Sequence, residues 1–286
     1  MKIIAGPCSV DFDNKHEIEQ ALSIKFNGKS VLYGVRIVGL KSRTALDPKN
    51  AFIGIDYDVF EENINEVVKG GSNIKIHPSI EIANEIQGKF KDAYMATEIV
   101  DTWMQCWNMS KYLNSDRAII WNPAVNHLGF PIRIMAKQAQ QKNWKIGIKN
   151  GKSLGTTIEK SQNSETPMEK SWTGLRSYAN FIDNKDMIMI HRGVEGENSY
   201  GYRNIPLHEM CKRVKRATKC QMFLDPSHIC GPKLRDSILD FTLDAMTIEL
   251  DGGKLYDGIL IEVGTSKSDT QQHITLEELE KMCRKM

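Results

Sequence analysis

Val31-Leu32-Tyr33-Gly34-Val35-Arg36-Ile37-Val38-Gly39-Leu40-Lys41-Ser42-Arg43-Thr44 is the stretch on which the reading of this chain turns. The apolar run from Val31 opens a buried strand over residues 31–38, and the nine residues from Arg36 to Thr44 hold three cations and a threonine hydroxyl. A strand that ends by projecting Arg, Lys and Arg from a loop is suited to gripping a multiply anionic small molecule, because guanidinium forks match phosphate and carboxylate oxygens. An isolated basic loop is more often a solvated surface. The weight therefore falls on what the other strand ends carry.

Outward from that stretch, short β-rich runs alternate with amphipathic helical patterns along the whole chain. The strands expected are 2–5, 31–38, 93–97, 118–121, 145–149, 187–191, 221–224 and 258–263. The helices expected between them are 15–26, 57–68 with 80–90, 102–112, 131–141, 172–182, 207–217 and 234–250. A closing helix spans 275–285, with Thr275 as its cap and Glu278 placed for a capping box. Eight strand–helix repeats predict an α/β fold with a parallel sheet, and the count of eight predicts closure into a single (β/α)8 TIM barrel. An open doubly wound sheet is the runner-up, weakened because no strand leads into a GxGxxG turn. The polar segment 151–170 reads as a surface loop after the fifth strand, with a lid as the alternative. Residues 1–286 are expected to form one catalytic domain without an appended regulatory domain.

Composition narrows the class. The 286 residues are 41% apolar and 26% charged, which suits a globular protein with a core, and 38 basic against 36 acidic residues leave a net charge of only +2. Any electropositive patch must then be local, and neither nucleic acid nor a membrane surface is an expected partner. No apolar run approaches the ~20 residues needed to span a bilayer. Six cysteines, at 8, 106, 211, 220, 230 and 283, show no CxxC pairing, which reads as reduced thiols in a cytoplasmic protein.

In a barrel of this kind the working residues sit where strands give way to the following loops. Those edges carry Cys8, Arg36 with Lys41, Glu98, Asn122, Lys149, Arg192, Asp225 with His228, and Glu262. Cys8, His228, Glu262 and Asp269 make a mixed sulfur, nitrogen and oxygen set able to hold one divalent transition metal. None has zinc-finger spacing, and a single buried Cys or His is more often structural. Their expected convergence from strands one, seven and eight, neighbours in a closed barrel, is what joins them. Arg36, Lys41, Arg43, Lys149 and Arg192 make the second set, a cluster of cations that would repel one another without an anionic ligand.

Taken in order, Ala5-Gly6-Pro7-Cys8-Ser9-Val10, Arg36 with Lys41-Ser42-Arg43-Thr44, Ile148-Lys149-Asn150-Gly151, His191-Arg192-Gly193, Asp225-Pro226-Ser227-His228, and Glu262-Val263 with Ser268-Asp269-Thr270-Gln271-Gln272 resemble the motifs of the 3-deoxy-D-arabino-heptulosonate 7-phosphate (DAHP) synthases. The resemblance runs from residue 3 to about residue 279. It implies a metal-dependent transferase that condenses phosphoenolpyruvate with erythrose 4-phosphate, the first step of the shikimate pathway towards aromatic amino acids. It implies one divalent ion (Mn2+, Fe2+, Co2+ or Zn2+) on Cys8, His228, Glu262 and Asp269. It places Arg36, Lys149 and Arg192 on phosphoenolpyruvate, Lys41 and His228 at the chemistry, and Arg43 and Thr44 on the aldose phosphate, with Arg203 a further substrate contact. The expected partners are these small molecules, and the chain is expected to be a homo-oligomer.

Three departures stand out. Where the family has Gly-Ala-Arg after strand four, this chain reads Trp121-Asn122-Pro123, with His127 and Arg133 as the nearest replacements. Ala45-Leu46 follows Thr44 in place of Ser-Pro, and Glu262 reaches Asp269 in only seven positions. The alternatives are the same chemistry on a different aldose or aldose phosphate, a Schiff-base aldolase using Lys149, and a non-catalytic anion-binding barrel.

Overall fold

The computed structural model describes residues 1–42, 52–125, 127–196, 199–266 and 271–286. Eight parallel strands close into a barrel: β1 (Lys2–Gly6), β2 (Gly34–Arg36), β3 (Tyr94–Glu98), β4 (Ala118–Trp121), β5 (Lys145–Lys149), β6 (Met187–His191), β7 (Gln221–Leu224) and β8 (Gly258–Glu262). Each strand pairs with its sequence neighbour, and β1 closes on β8 with Ile4 opposite Leu260 and Gly6 opposite Glu262. The TIM-barrel expectation is therefore met, with every strand found within a few residues of its expected place.

The two faces of each strand are buried against different partners. Ile4, Ala96, Ile119, Trp121, Ile188, Ile190, Phe223 and Leu260 form one cluster inside the barrel. Their neighbours of opposite parity, among them Ile3, Ala5, Met95, Ile120, Ile146, Ile148, Met189 and Ile261, join the larger cluster beneath the helices. Burial on both faces is why these strands read as continuous apolar runs. Gly147 shows how tightly the interior is filled. A Cβ there would lie 2.7 Å from Ile190 Cδ1 and 2.9 Å from Trp121 Cβ, so glycine at this point is what admits the indole.

The outer layer is made by α1 (Lys15–Ser23), α2 (Tyr57–Val68), α3 (Pro78–Lys89), α4 (Met104–Tyr112), α5 (Gly129–Lys142), α6 (Ile158–Asn163), α7 (Pro167–Leu175), α8 (His208–Thr218), α9 (Pro226–Cys230), α10 (Ile238–Ala245) and α11 (Leu276–Lys285). The Thr275–Glu278 capping box is present as expected. No helix among the described residues is long and apolar enough to cross a membrane.

Four expectations need correction. Helix 15–26 stops at Ser23, because Asn27-Gly28 turns Lys25–Phe26 back on Lys29–Ser30 with both turn residues at positive φ. Helix 234–250 shrinks to α10 for the same reason, Asp251-Gly252 pairing Glu249–Leu250 with Gly253–Lys254. Strand 31–38 keeps ladder pairing only over Gly34–Arg36. Segment 151–170 is not a bare loop: it holds α6, capped by the Thr157 side chain, and the start of α7, where Thr166 and Glu169 form a capping box that delivers Met168 and Trp172 into the core.

Candidate active site

The parity that fills the barrel also builds the site. Continuing each inward-facing series two residues further towards the C-terminal mouth leads from Ile4 through Gly6 to Cys8, from Gly34 to Arg36 and from Ala96 to Glu98. The same step leads from Ile119 to Trp121, from Gly147 to Lys149, from Ile190 to Arg192, from Phe223 to Asp225 and from Leu260 to Glu262. In six of the eight series a charged side chain takes over at the rim, Cys8 and Trp121 being the other two.

Arg36 and Glu262 form the floor of one half. Arg36 Nη2 donates to Glu262 Oε1 at 3.0 Å, and its Nε donates to Pro7 O at 3.0 Å. Glu262 Oε2 accepts from Gln272 Nε2 at 3.0 Å, while its backbone N–H is held by Ser227 Oγ at 2.9 Å. Lys41 Nζ donates to Cys8 Sγ at 2.5 Å and stands 3.8 Å from Glu262 Oε1. Burial works against both cations, but Glu262 and Cys8 outweigh it and hold Arg36 and Lys41 above their ordinary pKa ranges.

The other half is organised by Lys149, whose ammonium lies 3.4 Å from Glu98 Oε2 and 3.3 Å from Asp225 Oδ2. Trp121 ties the halves together. Arg36 stands 5.9 Å and Lys149 5.7 Å from its ring centroid, and its Nε1–H donates to Glu98 Oε2 at 3.2 Å. Burial would raise the Glu98 carboxyl, yet Lys149, Lys41, His228 and Arg36 together keep it below the usual range. Asp225 is held lower still: burial opposes its charge, but His228 and Lys149 prevail. Asp225 Oδ1 receives His228 Nδ1 at 2.9 Å, and burial lowers the imidazole pKa despite that partner. With Nδ1 engaged by Asp225, the ring presents Nε2 towards Glu262 Oε1, 3.9 Å away.

Arg192 is a different kind of cation. It is 3% exposed, and no carboxylate of the described residues lies within ion-pair distance of it. Its Nη1 has no hydrogen-bond partner among the described residues, and neither does Nη1 of Arg36. Burial, helped by Arg203, pulls Arg192 down to about 10 although Asp225 counteracts it. Arg203 itself donates to Gln272 Oε1. His191 belongs to the packing: it is fully buried, accepts from Leu207 N at 3.2 Å and stacks on Tyr256.

Backbone positions at the rim are set by side chains from the preceding strand's tip. Asn122 Oδ1 accepts from Lys149 N, and Asn150 Oδ1 accepts from Arg192 N, each at 2.8 Å. Neither possible replacement for the missing strand-four arginine fills that role. Arg133 bonds Tyr178 O and lies over Phe181 on the helical layer, and His127 is engaged by Lys149 O at 2.9 Å and Ser171 Oγ at 3.2 Å.

Of the expected site residues, Arg36, Lys41, Lys149, Cys8, His228 and Glu262 thus meet directly or through one shared partner, and Arg192 and Arg203 border them. Arg43, Thr44 and Asp269 lie outside the described residues. Among the described residues no group of three or more His, Cys, Asp or Glu side chains stands close enough together to hold a metal ion. The donor types nevertheless suit a divalent ion: the Cys8 thiol and the Glu262 carboxylate share the Lys41 ammonium, and the His228 imidazole lies 3.9 Å from Glu262 Oε1. Glu98, Asp225, Trp121, Asn122, Asn150 and Gln272 stand at the strand ends or in the motifs read from sequence, but no role at the site is assigned to them there. Strand parity would have found the first three.

The model of the DAHP synthetase I family matches residues 1–286. Among solved structures, the fold is similar to the truncated form of 3-deoxy-D-arabino-heptulosonate 7-phosphate synthase from Thermotoga maritima, with a TM-score of 0.65 over 100% of this chain and 85% of that one. Identity to it is 19%, so this likeness speaks for the fold. No curated protein sequence matches the chain.

Proposed function

Because the chain belongs to the DAHP synthetase I family it is a transferase, and we propose that it condenses phosphoenolpyruvate with erythrose 4-phosphate and water to give DAHP and phosphate, with residues 1–286 acting as one catalytic domain. The observation that carries the reading is the pair of buried guanidiniums, Arg36 and Arg192, each with Nη1 unpartnered among the described residues and aligned with Lys149 at one barrel mouth. Buried cations held in this state favour a ligand with several anionic oxygens, and phosphoenolpyruvate offers a phosphate and a carboxylate.

In this reading Arg192 and Lys149 take the phosphate and Arg36 the carboxylate, with Trp121 keeping Arg36 and Lys149 in place from below. Cys8, His228, Glu262 and Asp269 would hold a divalent metal ion, which supplies polarisation of the aldehyde carbonyl when bound. The enol C3 forms the new bond to the aldehyde carbon, and the Lys41 ammonium delivers a proton to the aldehyde oxygen. Water adds at C2 and the C2–O bond to phosphate breaks, the departing charge resting on Arg192 and Lys149. Holding two multiply charged substrates together is the larger part of the task, and the rim cations offset their repulsion.

Phosphate release from phosphoenolpyruvate, erythrose 4-phosphate and Mn2+, abolished by EDTA, is the expected result. Silence with every aldose phosphate would overturn the reading. A second reading, the same chemistry on another aldose, is favoured by the stretch after the fourth strand, where Trp121-Asn122-Pro123 stands in place of the family's Gly-Ala-Arg and brings no arginine. A panel of aldoses and aldose phosphates separates the two by kcat/KM.

A further inference from the structure

Lys41 reaches the site from a short ladder outside the barrel, in which Lys41–Ser42 pair antiparallel with Phe52–Ile53. At the foot of that ladder the chain crosses itself. Asp56 N donates to Gly39 O at 3.0 Å, and the crossing is so close that only glycines fit. A Cβ on Gly39 would lie 2.2 Å from Asp56 Oδ2, and one on Gly54, at φ +124°, would lie 2.2 Å from Gly39 O.

Asp56 sits at the N-cap of α2, the usual place for an aspartate to bond its own helix, yet its side chain makes no such bond. The carboxylate is turned to α3 instead, where Oδ1 accepts from Ser79 N at 2.8 Å and Oδ2 from Ser79 Oγ at 2.5 Å. Asp56 is 1% exposed, and the ionisable group facing it is His77 Nδ1 at 3.9 Å, on a ring with neither nitrogen hydrogen-bonded among the described residues. Gly39 lies against its Oδ2. Burial drives Asp56 up to about 6 even with both Ser79 bonds in place, so the arrangement weakens the fold at neutral pH rather than strengthening it. A buried carboxylate that neither caps its helix nor touches the reacting groups is explained by what it holds in position.

We propose that Asp56 and Ser79 are positioning residues for Lys41: bonded to α3, Asp56 locks the Gly39–Gly54 crossing and so fixes where the Lys41 ladder enters the site. The proposal rests on the catalytic reading of Lys41 given above.

The test uses Asp56→Ala, Ser79→Ala and Asp56→Asn in the full chain. Steady-state phosphate release with phosphoenolpyruvate, erythrose 4-phosphate and Mn2+ should show kcat lowered about tenfold or more for Asp56→Ala, with KM for phosphoenolpyruvate moved less than about threefold, since Arg192 and Lys149 ride on strands. Ser79→Ala should fall in between, and Asp56→Asn, which keeps an acceptor oxygen for Ser79 N, should recover most of kcat. Hydrogen exchange should quicken over residues 37–42 and 52–56 in Asp56→Ala and Ser79→Ala while the barrel strands stay protected. Unchanged kcat in an active enzyme, or unchanged exchange in those two segments, overturns the proposal. A wild type silent with every aldose phosphate condemns the catalytic reading instead, and the exchange measurement still decides whether the clamp exists.

Discussion

Arg192 and Lys41 are both cations at the same barrel mouth, and they are held there in opposite ways. Arg192 follows directly on β6, has its N–H fixed by Asn150, and lacks a carboxylate partner among the described residues. Lys41 comes from a ladder beside the barrel and is surrounded by acceptors, Cys8 Sγ at 2.5 Å and Glu262 Oε1 at 3.8 Å. The strand-borne cation needs no partner to stay in place because its backbone is fixed, so its charge remains available to a ligand. The ladder-borne cation is placed by its own salt links and by a clamp at the foot of the ladder. Position and charge compensation are thus separable, and a substitution can be expected to disturb one without the other.

The largest effect that would sharpen this contrast is at Arg36. Arg36→Ala leaves Glu262 buried with its strongest partner gone, so a loss of about 3–5 kcal/mol in unfolding free energy is expected together with loss of turnover, read by denaturant melts and phosphate release. Arg192→Met should part company with it. Removing a buried cation that lacks a carboxylate partner among the described residues leaves the melting temperature unchanged or raised, while phosphoenolpyruvate binding by calorimetry weakens by about 1.5–3 kcal/mol. If Arg192→Met destabilises as Arg36→Ala does, the contrast collapses.

The clamp gives a pH signature. Asp56 has a folded pKa of about 6, above the ordinary aspartate value, so its contribution to stability is full below about pH 4 and is lost as pH rises through 6. His77, lowered by burial to about 4, runs the other way: its contribution is full above pH 6.5 and is lost as pH falls towards 4. Over that window the two oppose each other in the wild type. In Asp56→Asn only His77 remains, so unfolding free energy should fall more steeply on acidification than in the wild type, by up to about 3 kcal/mol between pH 7 and 4. Parallel pH profiles for the two proteins would remove the ionisation of Asp56 from the account. The smallest effect is expected at Trp121→Phe, which deletes the Nε1–H bond to Glu98 but keeps a ring beneath Arg36 and Lys149. About 1 kcal/mol of stability should go, with little change in kcat.

Much of this was legible in the chain itself, and the reason is periodicity. Strands buried on both faces are continuous apolar runs, so 118–121, 145–149, 187–191 and 221–224 coincide with the observed strands. The cations and the residues expected to hold a metal stood out because polar and charged residues directly after such runs are rare. What escaped falls into two kinds. Thr166-Pro167-Met168-Glu169 is a local helix-start signal, obscured by the polar residues around it. Asp56 with Ser79, Asn122 with Lys149 and Gln272 with Glu262 are pairings across 23, 27 and 10 residues, for which no local pattern exists. Such contacts follow from the closed barrel, and only after the fold is known does strand parity say that Glu98 and Asp225 share a mouth with Arg36.

The rim contacts from Asn122 to Lys149 N and from Asn150 to Arg192 N share a sense of rotation: each side chain reaches forward to the next strand's backbone. Ser227 does the same for Glu262 N. These three links carry an error forward from one strand to the next, while the bond from Arg36 Nε to Pro7 O runs the other way. Shortening Asn122 would move the backbone that carries Lys149, whereas changing the Lys149 side chain leaves Asn122 where it was. The three links therefore give a local order of dependence, Lys149 on Asn122, Arg192 on Asn150 and Glu262 on Ser227, and exchange of the earlier residue of each pair should disturb the later one.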